Sequence, residues 1–572
     1  MTPHRHLRSL TPRTLLGRTL LALALALPGL GAGALLAPTP AHALDNGVAL
    51  TPPMGWDDWN TFGCNTSEAL VKETADFMAS SGLRDAGYQY VNVDDCWLSR
   101  SRDANGNLVA DPAKFPDGMA ATAAYVHSKG LKFGLYESPT LHTCQGFPGS
   151  LDHEQQDART FASWGVDYLK YDNCLASDPD QRVGDEKLPL ETRDGWMRDA
   201  LAATGRPIVL SLSLQPAAQG ETPWVWGRSV ANLWRIDGDR DSSFAGLTRL
   251  VHADLDKSQD AGPGAWNDID MLATGNYADP SAQLTYDESK SELSLAAVLA
   301  APLISGADLR AAATPADPGY PITQQMLGLY LDKDVIAVDQ DALGVQGTEV
   351  SGTGGLDVLR RPLADGDVAT VLFNETGAPA TISTTASALG LPSAVGGYRL
   401  DDLWAHTSTV SQDGTISASV PPGGSVMYRV TPLNVTVGAS HLLVSQSSGR
   451  CLDAYDNQTA PGTKLEIWDC NGGANQRWAA GSDGDLRTYG GTQCLGTAGG
   501  GLASGTPVTV EPCDGSAAQK WTVNGDGSIT TPSAYGLCLD VTGGNLPSGN
   551  VNGVPVEVYS CNGGANQRWT QQ

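Results

Sequence analysis

The chain of 572 residues is long enough for three or four domains, and 41% of its residues are hydrophobic against 17% that are charged. Its formal net charge of −27 argues against nucleic acid and anionic membranes as partners, because like charges repel. The negative charge does not argue against neutral sugars, which remain possible ligands.

The first 43 residues have the composition of a signal peptide. Four arginines precede an apolar run at 20–38, and the small-residue pattern Ala41-His42-Ala43 offers a cleavage site. A membrane anchor is the alternative interpretation, and no later stretch approaches the length of a membrane span. We therefore expect a secreted, extracellular protein that has no membrane attachment after cleavage.

Residues 44–345 alternate short apolar runs with amphipathic, helix-like runs such as 67–81 and 151–164. The candidate strands are a run ending at 54–56 and the segments 90–94, 131–136, 168–172, 208–213, 232–236, 265–270 and 303–306. Eight β-then-α units predict a catalytic (β/α)8 TIM barrel, with a doubly wound open sheet as the main alternative.

Two β-rich regions follow the barrel. Short alternating runs at 346–431, separated by Gly, Pro, Ser and Asp, predict a small antiparallel β-sandwich domain. Residues 437–572 contain an internal repeat, in which three Gln-x-Trp units end at Trp478, Trp521 and Trp569. This repeat predicts a three-fold β-trefoil, in which we expect the three tryptophans to be core residues.

All ten cysteines follow the predicted signal peptide. An even number in an exported protein suggests disulfides. No Cys-x-x-Cys occurs, which argues against a zinc site.

Charged and aromatic residues cluster at the predicted C-terminal strand ends, where TIM barrels carry their active sites. They are Trp56, Asp94, Asp95, Tyr136, Glu137, Lys170, Asp172, Arg235, Asp237, Asp239, Asp268 and Asp270. A metal is disfavoured because no histidine is among them and Lys170 and Arg235 would repel a cation. Glycoside hydrolysis fits better, because it needs two carboxylates, partners for hydroxyls and an aromatic wall.

Several motifs carry a resemblance to glycoside hydrolase family 27, which holds α-galactosidases and α-N-acetylgalactosaminidases. They are Leu-Thr-Pro-Pro-Met-Gly-Trp at 50–56, Val-Asp-Asp-Cys-Trp at 93–97, Leu-Lys-Tyr-Asp-Asn-Cys at 169–174, Ala-Gly-Pro-Gly-Ala-Trp-Asn-Asp at 261–268 and Asp-Val-Ile-Ala-Val-Asp-Gln at 334–340. The resemblance covers nearly all of 44–431 and implies a retaining α-galactosidase that needs no cofactor.

The resemblance also assigns catalytic roles. Asp172 is similar to the family's nucleophile, and Lys170, on the same strand face, would keep it ionised. Asp239 is similar to the general acid/base, and Arg235 would orient it. Asp237 is the rival acid by proximity, although the Arg-x-x-x-Asp spacing favours Asp239.

Sugar recognition is implied in the same way. Asp94 and Asp95 would take the 4- and 6-hydroxyls, Trp56 would pack on the C5–C6 face, and Tyr136 would add a wall. Because β-L-arabinopyranose lacks the hydroxymethyl group of galactose, the intact Asp94-Asp95 pair favours galactose.

Two positions depart from the family pattern. Glu137 adds an acid that we expect near the pocket, and Ser213 is small where some members contact the 2-position of the sugar. We therefore predict that galactose- or arabinopyranose-containing oligo- and polysaccharides are the substrates. A β-L-arabinopyranosidase, then an isomalto-dextranase, and last a non-catalytic lectin are the alternatives to the α-galactosidase.

The C-terminal repeats resemble ricin-type lectin domains, also called family 13 carbohydrate-binding modules. The resemblance implies sugar contacts from Asp453, Glu466, Trp468, Asn475 and Gln476 in the first copy and from Asp540, Glu557, Tyr559, Asn566 and Gln567 in the third. The middle copy has Gly496, Glu511 and Ala518 at three of these positions, so we predict that it binds no sugar.

Both resemblances imply disulfides. Family 27 implies Cys64–Cys96 and Cys144–Cys174 around the active site. The lectin domains imply Cys451–Cys470, Cys494–Cys513 and Cys538–Cys561, one in each copy.

Overall fold

The computed structural model describes residues 44, 46–173, 189–214, 221–276, 283–310, 324–391, 397–433, 440–481, 484–532, 536–543 and 551–572. Among these residues, no helix has both the length and the apolar character that a bilayer crossing requires.

Eight parallel strands form the N-terminal sheet. They are β1 Met54–Asp57, β2 Tyr90–Val93, β3 Lys132–Glu137, β4 Tyr168–Asp172, β5 Val209–Ser213, β6 Leu233–Arg235, β7 Trp266–Asp268 and β8 Leu303–Ser305. The order is β7-β6-β5-β4-β3-β2-β1-β8, and Leu272, just after β7, makes a parallel bridge to Ser305 of β8. The bridge brings the two ends of the curled sheet together, so the predicted TIM-barrel class is confirmed.

The helices that surround this sheet are α1 Trp59–Phe62, α2 Glu68–Ser80, α3 Leu83–Ala86, α4 Gly118–Ser128, α5 Glu154–Trp164, α6 Leu190–Thr204, α7 Pro223–Val230, α8 Phe244–Asp254, α9 Tyr286–Leu299, α10 Gln324–Tyr330 and α11 Lys333–Asp339. Their starts follow local chemistry. The Ser67 side chain accepts a hydrogen bond from the backbone N–H of Leu70 and caps α2. Thr285 and Glu288 form a reciprocal capping box at the start of α9.

A glycine makes room for a polar side chain inside the barrel. A Cβ at Gly134 of β3 would lie 2.0 Å from the Oδ1 atom of Asn92 on β2. Any larger residue at this position would therefore displace Asn92 from the barrel interior.

The second domain is an antiparallel β-sandwich. Its strands are β9 Thr348–Thr353, β10 Leu356–Pro362, β11 Val368–Asn374, β12 Ala380–Thr385, β13 Tyr398–Asp402, β14 Thr407–Ser411, β15 Thr415–Val420 and β16 Ser425–Pro432. Six of them form a sheet in the order β14-β13-β16-β11-β10-β9, and β12 pairs with β15. One apolar cluster joins this domain to the barrel, with Val251 of α8 and Val298 of α9 in the same buried group as Val371 and Phe373 of β11.

The C-terminal domain has the predicted β-trefoil class. Its strands are β17 His441–Ser445, β18 Cys451–Ala454, β19 Thr463–Trp468, β20 Arg477–Ala480, β21 Leu486–Thr488, β22 Gln493–Thr497, β23 Thr506–Glu511, β24 Thr522–Val523, β25 Ile529–Thr530, β26 Leu537–Val541, β27 Val554–Ser560 and β28 Trp569–Gln571. The three Gln-x-Trp tryptophans are buried, and each indole N–H donates to a backbone carbonyl, that of Leu452, Leu495 or Leu539. Their predicted core role is confirmed.

Candidate active site and sugar-binding lobes

A small pocket lies at the C-terminal end of the barrel strands. It is lined by Asp57, Asn92, Tyr168, Lys170, Ser211, Ser213, Arg235, Asp268, Asp270, Met271 and Ile304. Lys170, Ser213 and Arg235 were predicted as substrate-binding residues. The sequence analysis missed six other lining residues: Asp57, Asn92, Tyr168, Ser211, Met271 and Ile304. Asn92 on β2, Tyr168 on β4 and Ser211 on β5 share a strand face with predicted residues, so the alternation of side chains along a strand could have indicated them.

Lys170 connects the recognition and nucleophile candidates. Its Nζ atom donates to Oδ2 of Asp94 at 2.6 Å, and Oδ1 of Asp94 accepts the backbone N–H of Asp95 at 2.8 Å. Lys170 and Asp172 lie two residues apart on β4 and point to the same face. The ammonium group therefore lies among three carboxyl groups, those of Asp94, Asp57 and Asp172, whose charges favour its protonated form.

The candidate nucleophile has a shifted pKa. The pKa of Asp172 is raised to about 7, chiefly by burial. The negative charges of Asp94 and Asp239 contribute to this rise, and the positive charges of Lys170 and Arg235 oppose it. The expected influence of Lys170 thus has the predicted sign. Burial outweighs it, however, so the carboxyl group is easier to protonate than a free aspartate.

Arg235 binds two further acids of the barrel mouth. It is buried at the end of β6, and its Nη2 atom lies 2.7 Å from Oδ2 of Asp270 and 3.3 Å from Oδ1 of Asp239. Burial alone would raise the pKa of Asp270, but Arg235 and the N–H groups of Arg240 and Met271 hold it below the ordinary value. Asp270 therefore stays charged and fixes Arg235.

Asp239 and its rival Asp237 differ in their partners. The side chain of Asp239 is 66% exposed at the barrel mouth, where a leaving group or water can reach it. The carboxylate of Asp237 is bound by Arg249 of α8 and by the N–H of Gly238. Arg249 also donates to the backbone carbonyl of Asp239 at 2.9 Å. Asp237 and Arg249 therefore position the loop that follows β6. This arrangement favours Asp239 as the acid/base.

Asp95 is buried and already bonded within the protein. Its Oδ1 atom accepts from the N–H of Cys96 at 2.7 Å and from Thr143 Oγ1 at 2.9 Å, and its Oδ2 atom accepts from the N–H of Gln145 at 2.8 Å. These bonds tie the end of β2 to the loop after β3. The role of Asp95 in binding a 6-hydroxyl stays a prediction.

The aromatic candidates are both buried. Trp56 donates its indole N–H to the carbonyl of Ala307 at 2.7 Å, and the Tyr136 hydroxyl lies 2.9 Å from Cys144 Sγ. Both rings stand at strand ends, and their contacts with a sugar stay predictions.

Glu137 does not line the pocket, and its contact with substrate stays a prediction. Tyr136 faces the acids of the pocket, and side chains alternate along a strand, so Glu137 points to the helix layer. There it is fully buried, with Asp157 of α5, Arg102 and Asp95 as charged neighbours, and burial raises its pKa well above the ordinary range.

Four of the expected disulfides occur in the described part of the chain. They join Cys64 to Cys96, Cys451 to Cys470, Cys494 to Cys513 and Cys538 to Cys561. Cys174, and with it the expected Cys144–Cys174 pair, lies outside the described residues.

The first trefoil lobe forms a cavity of about 460 Å³. At its base, Oδ2 of Asp453 accepts from Asn475 Nδ2 at 3.0 Å and from Gln476 Nε2 at 2.6 Å. The Trp468 side chain is 42% exposed beside it, and the carboxylate of the buried Glu466 lies 3.0 Å from Lys464 Nζ. An oriented carboxylate under an exposed aromatic ring is suited to bind a sugar.

The third lobe repeats this geometry. Oδ2 of Asp540 accepts from Asn566 Nδ2 at 2.9 Å and from Gln567 Nε2 at 2.7 Å. Tyr559 is 44% exposed, and Glu557 lies opposite Asp540 in the register of β26 and β27.

The middle lobe differs in its surroundings as well as its residues. The space between Gly496 and Glu511 is bordered by Leu343, Val345 and Pro362 from the segments near the barrel–sandwich junction. This lobe therefore faces the catalytic part of the chain, whereas the other two lobes expose their aromatic rings.

Sequence reasoning missed four residues that line the cavity of the first lobe, Tyr455, Asp456, Asn457 and Asn471. Tyr455 is exposed, and its ring lies 4.1 Å from Lys464 Nζ. Tyr455 lies two residues after Asp453, and this spacing is the sequence feature that could have indicated it.

Comparisons with known proteins agree with this architecture. Residues 51–341 match the family model described as "Alpha galactosidase A", residues 353–430 match "Alpha galactosidase C-terminal beta sandwich domain", and residues 439–569 match "Ricin-type beta-trefoil lectin domain".

Individual relatives cover the first two domains. The α-galactosidase of Cyamopsis tetragonoloba is 42% identical over 68% of this chain and 89% of the relative. That of Coffea arabica is 45% identical over 68% of this chain and 96% of the relative. The crystal structure of α-galactosidase I from Mortierella vinacea is 32% identical, covers 68% of this chain and 99% of its own, and has a TM-score of 0.61. The chain belongs to the α-galactosidases of glycoside hydrolase family 27 and carries a ricin-type β-trefoil after its β-sandwich.

Proposed function

We propose that the protein is a secreted, retaining hydrolase that releases terminal α-D-galactose from oligo- and polysaccharides and is held on polysaccharide by its trefoil. The observation that carries the proposal is the arrangement of charges in the barrel mouth. Asp172 is partly buried beside Lys170, and Asp239 is exposed and lies beside Arg235. One shielded and one accessible carboxyl group are suited to the two roles that retention requires.

The first chemical step uses both carboxyl groups. Ionised Asp172 attacks the anomeric carbon, and the bond from that carbon to the leaving oxygen breaks as protonated Asp239 gives its proton to that oxygen. In the second step, Asp239 removes a proton from water while the water oxygen attacks the anomeric carbon. The bond to Asp172 breaks, and galactose leaves with its original anomeric configuration.

Galactose is favoured by the charge network around Asp94. This buried carboxylate is fixed by Lys170, so it presents a rigid acceptor to an axial 4-hydroxyl. A glucoside would leave the acceptor unpaired, and unpaired buried groups are costly. The names of the relatives, which are α-galactosidases, agree with this preference.

A β-L-arabinopyranosidase is the second candidate, and one observation favours it. Asp95, the expected partner of the 6-hydroxyl, already accepts three hydrogen bonds within the protein. If these bonds persist with substrate bound, Asp95 contributes little to binding the hydroxymethyl group of galactose. Galactosides and arabinopyranosides would then react at similar rates.

The trefoil supports attachment to a polymer. Lobes one and three expose Trp468 and Tyr559 above oriented carboxylates, and two weak sites on one chain gain avidity when both contact the same polysaccharide. Secretion is supported by the N-terminal sequence and by the disulfides, which persist in oxidising compartments.

The test compares the hydrolysis of nitrophenyl α-D-galactopyranoside and nitrophenyl β-L-arabinopyranoside, which differ only at C5. We expect kcat/KM for the galactoside to be at least about tenfold higher, which corresponds to about 1.4 kcal/mol in the transition state. A preference for the arabinopyranoside would overturn the substrate assignment. Proton NMR of the first product checks retention, and a β-anomer formed first would contradict it.

Secretion and attachment need their own measurements. N-terminal sequencing of the protein from culture medium should show cleavage after residue 43, and retention of the enzyme in cells would contradict secretion. Sedimentation with an insoluble galactose-containing polysaccharide should deplete the full chain from solution, and no depletion would contradict attachment.

A further inference from the structure

Three side chains from separate elements meet where the barrel packs on the sandwich. They are His252 on α8, Asp357 on β10 and Glu375, just after β11. One ring nitrogen of His252 and one carboxylate oxygen from each acid all lie within 4.8 Å of one another. The Nε2 atom of His252 is 2.7 Å from Oε1 of Glu375.

Asp357 is the least satisfied member of this group. Only 5% of its surface is exposed, and its Oδ2 atom has no hydrogen-bond partner among the residues that the structure describes. Glu375 and Glu349 add negative charge beside it, and His252 is the neighbouring group that can carry a positive charge. A buried carboxylate that faces other carboxylates needs a positive charge or a proton between them, because neither solvent nor a donor offsets the repulsion.

The backbone makes room for these groups. Gly352 of β9 lies opposite Asp357 in the register. A Cβ atom at this position would lie 1.9 Å from Oε1 of Glu349 and 2.7 Å from Oδ1 of Asp357. The absence of a side chain at Gly352 therefore allows both carboxylates to occupy the same small space.

We propose that His252, Asp357 and Glu375 form a divalent-cation site that connects α8 of the barrel to the sandwich. One imidazole nitrogen with two carboxylates suits a first-row transition ion such as Zn²⁺ better than Mg²⁺, which prefers oxygen ligands alone. The bound ion stabilises the contact between the two domains.

A second group of similar composition provides the matched control. Asp332, Asp334 and His406 also lie within ligand distance of one another. The histidines of the two groups are similarly exposed, 46% for His252 and 59% for His406. Asp332, however, caps α11 by accepting from the N–H groups of Asp334 and Val335. Its carboxylate already has donors, so a cation gains less at this position.

The experiment uses the full chain after treatment with EDTA. ZnCl₂ is added in one to ten equivalents, with MgCl₂ in a parallel series, and thermal unfolding and calorimetric binding are measured. We expect one Zn²⁺ per chain to bind and to raise the Tm by at least about 2 °C, because a ligand that binds the folded state stabilises it. MgCl₂ should have a smaller effect.

Variants test the ligands. Asp357→Asn keeps the shape and removes the charge, so it should fold without metal at least as well as the parent and lose the Zn²⁺-dependent shift. His252→Gln should lose the shift as well, and His406→Gln should retain it. Two results would overturn the proposal. One is a Zn²⁺-dependent Tm shift that is unchanged in both Asp357→Asn and His252→Gln. The other is no Zn²⁺ binding to the parent, which would mean that a proton shared between the carboxylates offsets their repulsion.

Discussion

The barrel mouth and the trefoil lobes both present carboxylates at their candidate sugar sites, but they hold them differently. In the barrel, Lys170 and Arg235 surround buried acids with fixed charge, and burial raises the pKa of Asp172 to about 7. In lobes one and three, Asp453 and Asp540 are held by neutral amides and stand beside half-exposed aromatic rings.

The difference follows from what each site must do. Forming and breaking a bond requires groups whose protonation states differ and can change, which charged neighbours in a buried pocket supply. Weak, reversible binding requires only an acceptor and an apolar surface, and amide donors hold the acceptor in place without adding charge. Charge substitutions should therefore have large effects in the barrel and small effects in the trefoil.

Asp172→Asn should have the largest effect. The amide cannot form the covalent intermediate, so kcat on nitrophenyl α-D-galactopyranoside should fall by about 10⁴-fold or more. Sedimentation with insoluble polysaccharide should be unchanged, because the trefoil is intact. Near-normal turnover by this variant would refute the assignment of the nucleophile.

Asp239→Asn should have the next largest effect, about 10²- to 10⁴-fold in kcat/KM on substrates with poor leaving groups. The loss should shrink for dinitrophenyl galactoside, whose leaving group needs no proton. Asp237→Asn is the matched control, because Asp237 is bound by Arg249 and positions the loop. If Asp237→Asn shows the stronger dependence on the leaving group, the acid/base has been assigned to the wrong residue.

The pH dependence should report the charges around Asp172. Its carboxyl group must be ionised to attack, so kcat/KM should fall as the pH drops below about 7, the pKa of Asp172 in the free protein. Lys170 lowers that pKa, so Lys170→Met should move the acidic limb to higher pH by roughly one unit, about a tenfold loss at a pH below the limb. Lys72→Met, on the surface helix α2, is the control and should leave the limb in place. A limb unmoved by Lys170→Met would show that another group controls it.

Single trefoil substitutions should have the smallest effects. Trp468→Ala and Tyr559→Ala should each weaken polysaccharide binding about fivefold, equivalent to about 1 kcal/mol of aromatic contact. The double variant should lose more, because avidity requires two sites. Hydrolysis of the nitrophenyl galactoside should not change.

Glu511→Gln, in the middle lobe, is the control for these variants and should bind as the parent does. A loss with Glu511→Gln equal to that with Trp468→Ala would show that the lobe facing the catalytic part also binds sugar.

The fold and the charged residues of the mouth were predictable because their signals are local. Strand and helix periods, ordered motifs and the repeated Gln-x-Trp units can each be read within a short window. Glu137 shows the limit of an inference that uses the position of a residue along a strand without the direction of its side chain. It follows Tyr136 at a strand end, and alternation sends it to the helix layer instead of the pocket.

Other features depend on contacts between distant segments. The hydrogen bonds that occupy Asp95 come partly from Thr143 and Gln145 in another loop. The middle lobe lies against Leu343 of the barrel region and Pro362 of the sandwich, so this contact involves all three domains. The residues of the hydrogen bond between His252 and Glu375 are 123 positions apart in the sequence. The amino-acid sequence by itself determined the domain classes and the residue types of the catalytic mouth, because these follow from local patterns. Only the tertiary structure decided which carboxylates are buried, paired or exposed, because burial and charge neighbours depend on how separate elements pack.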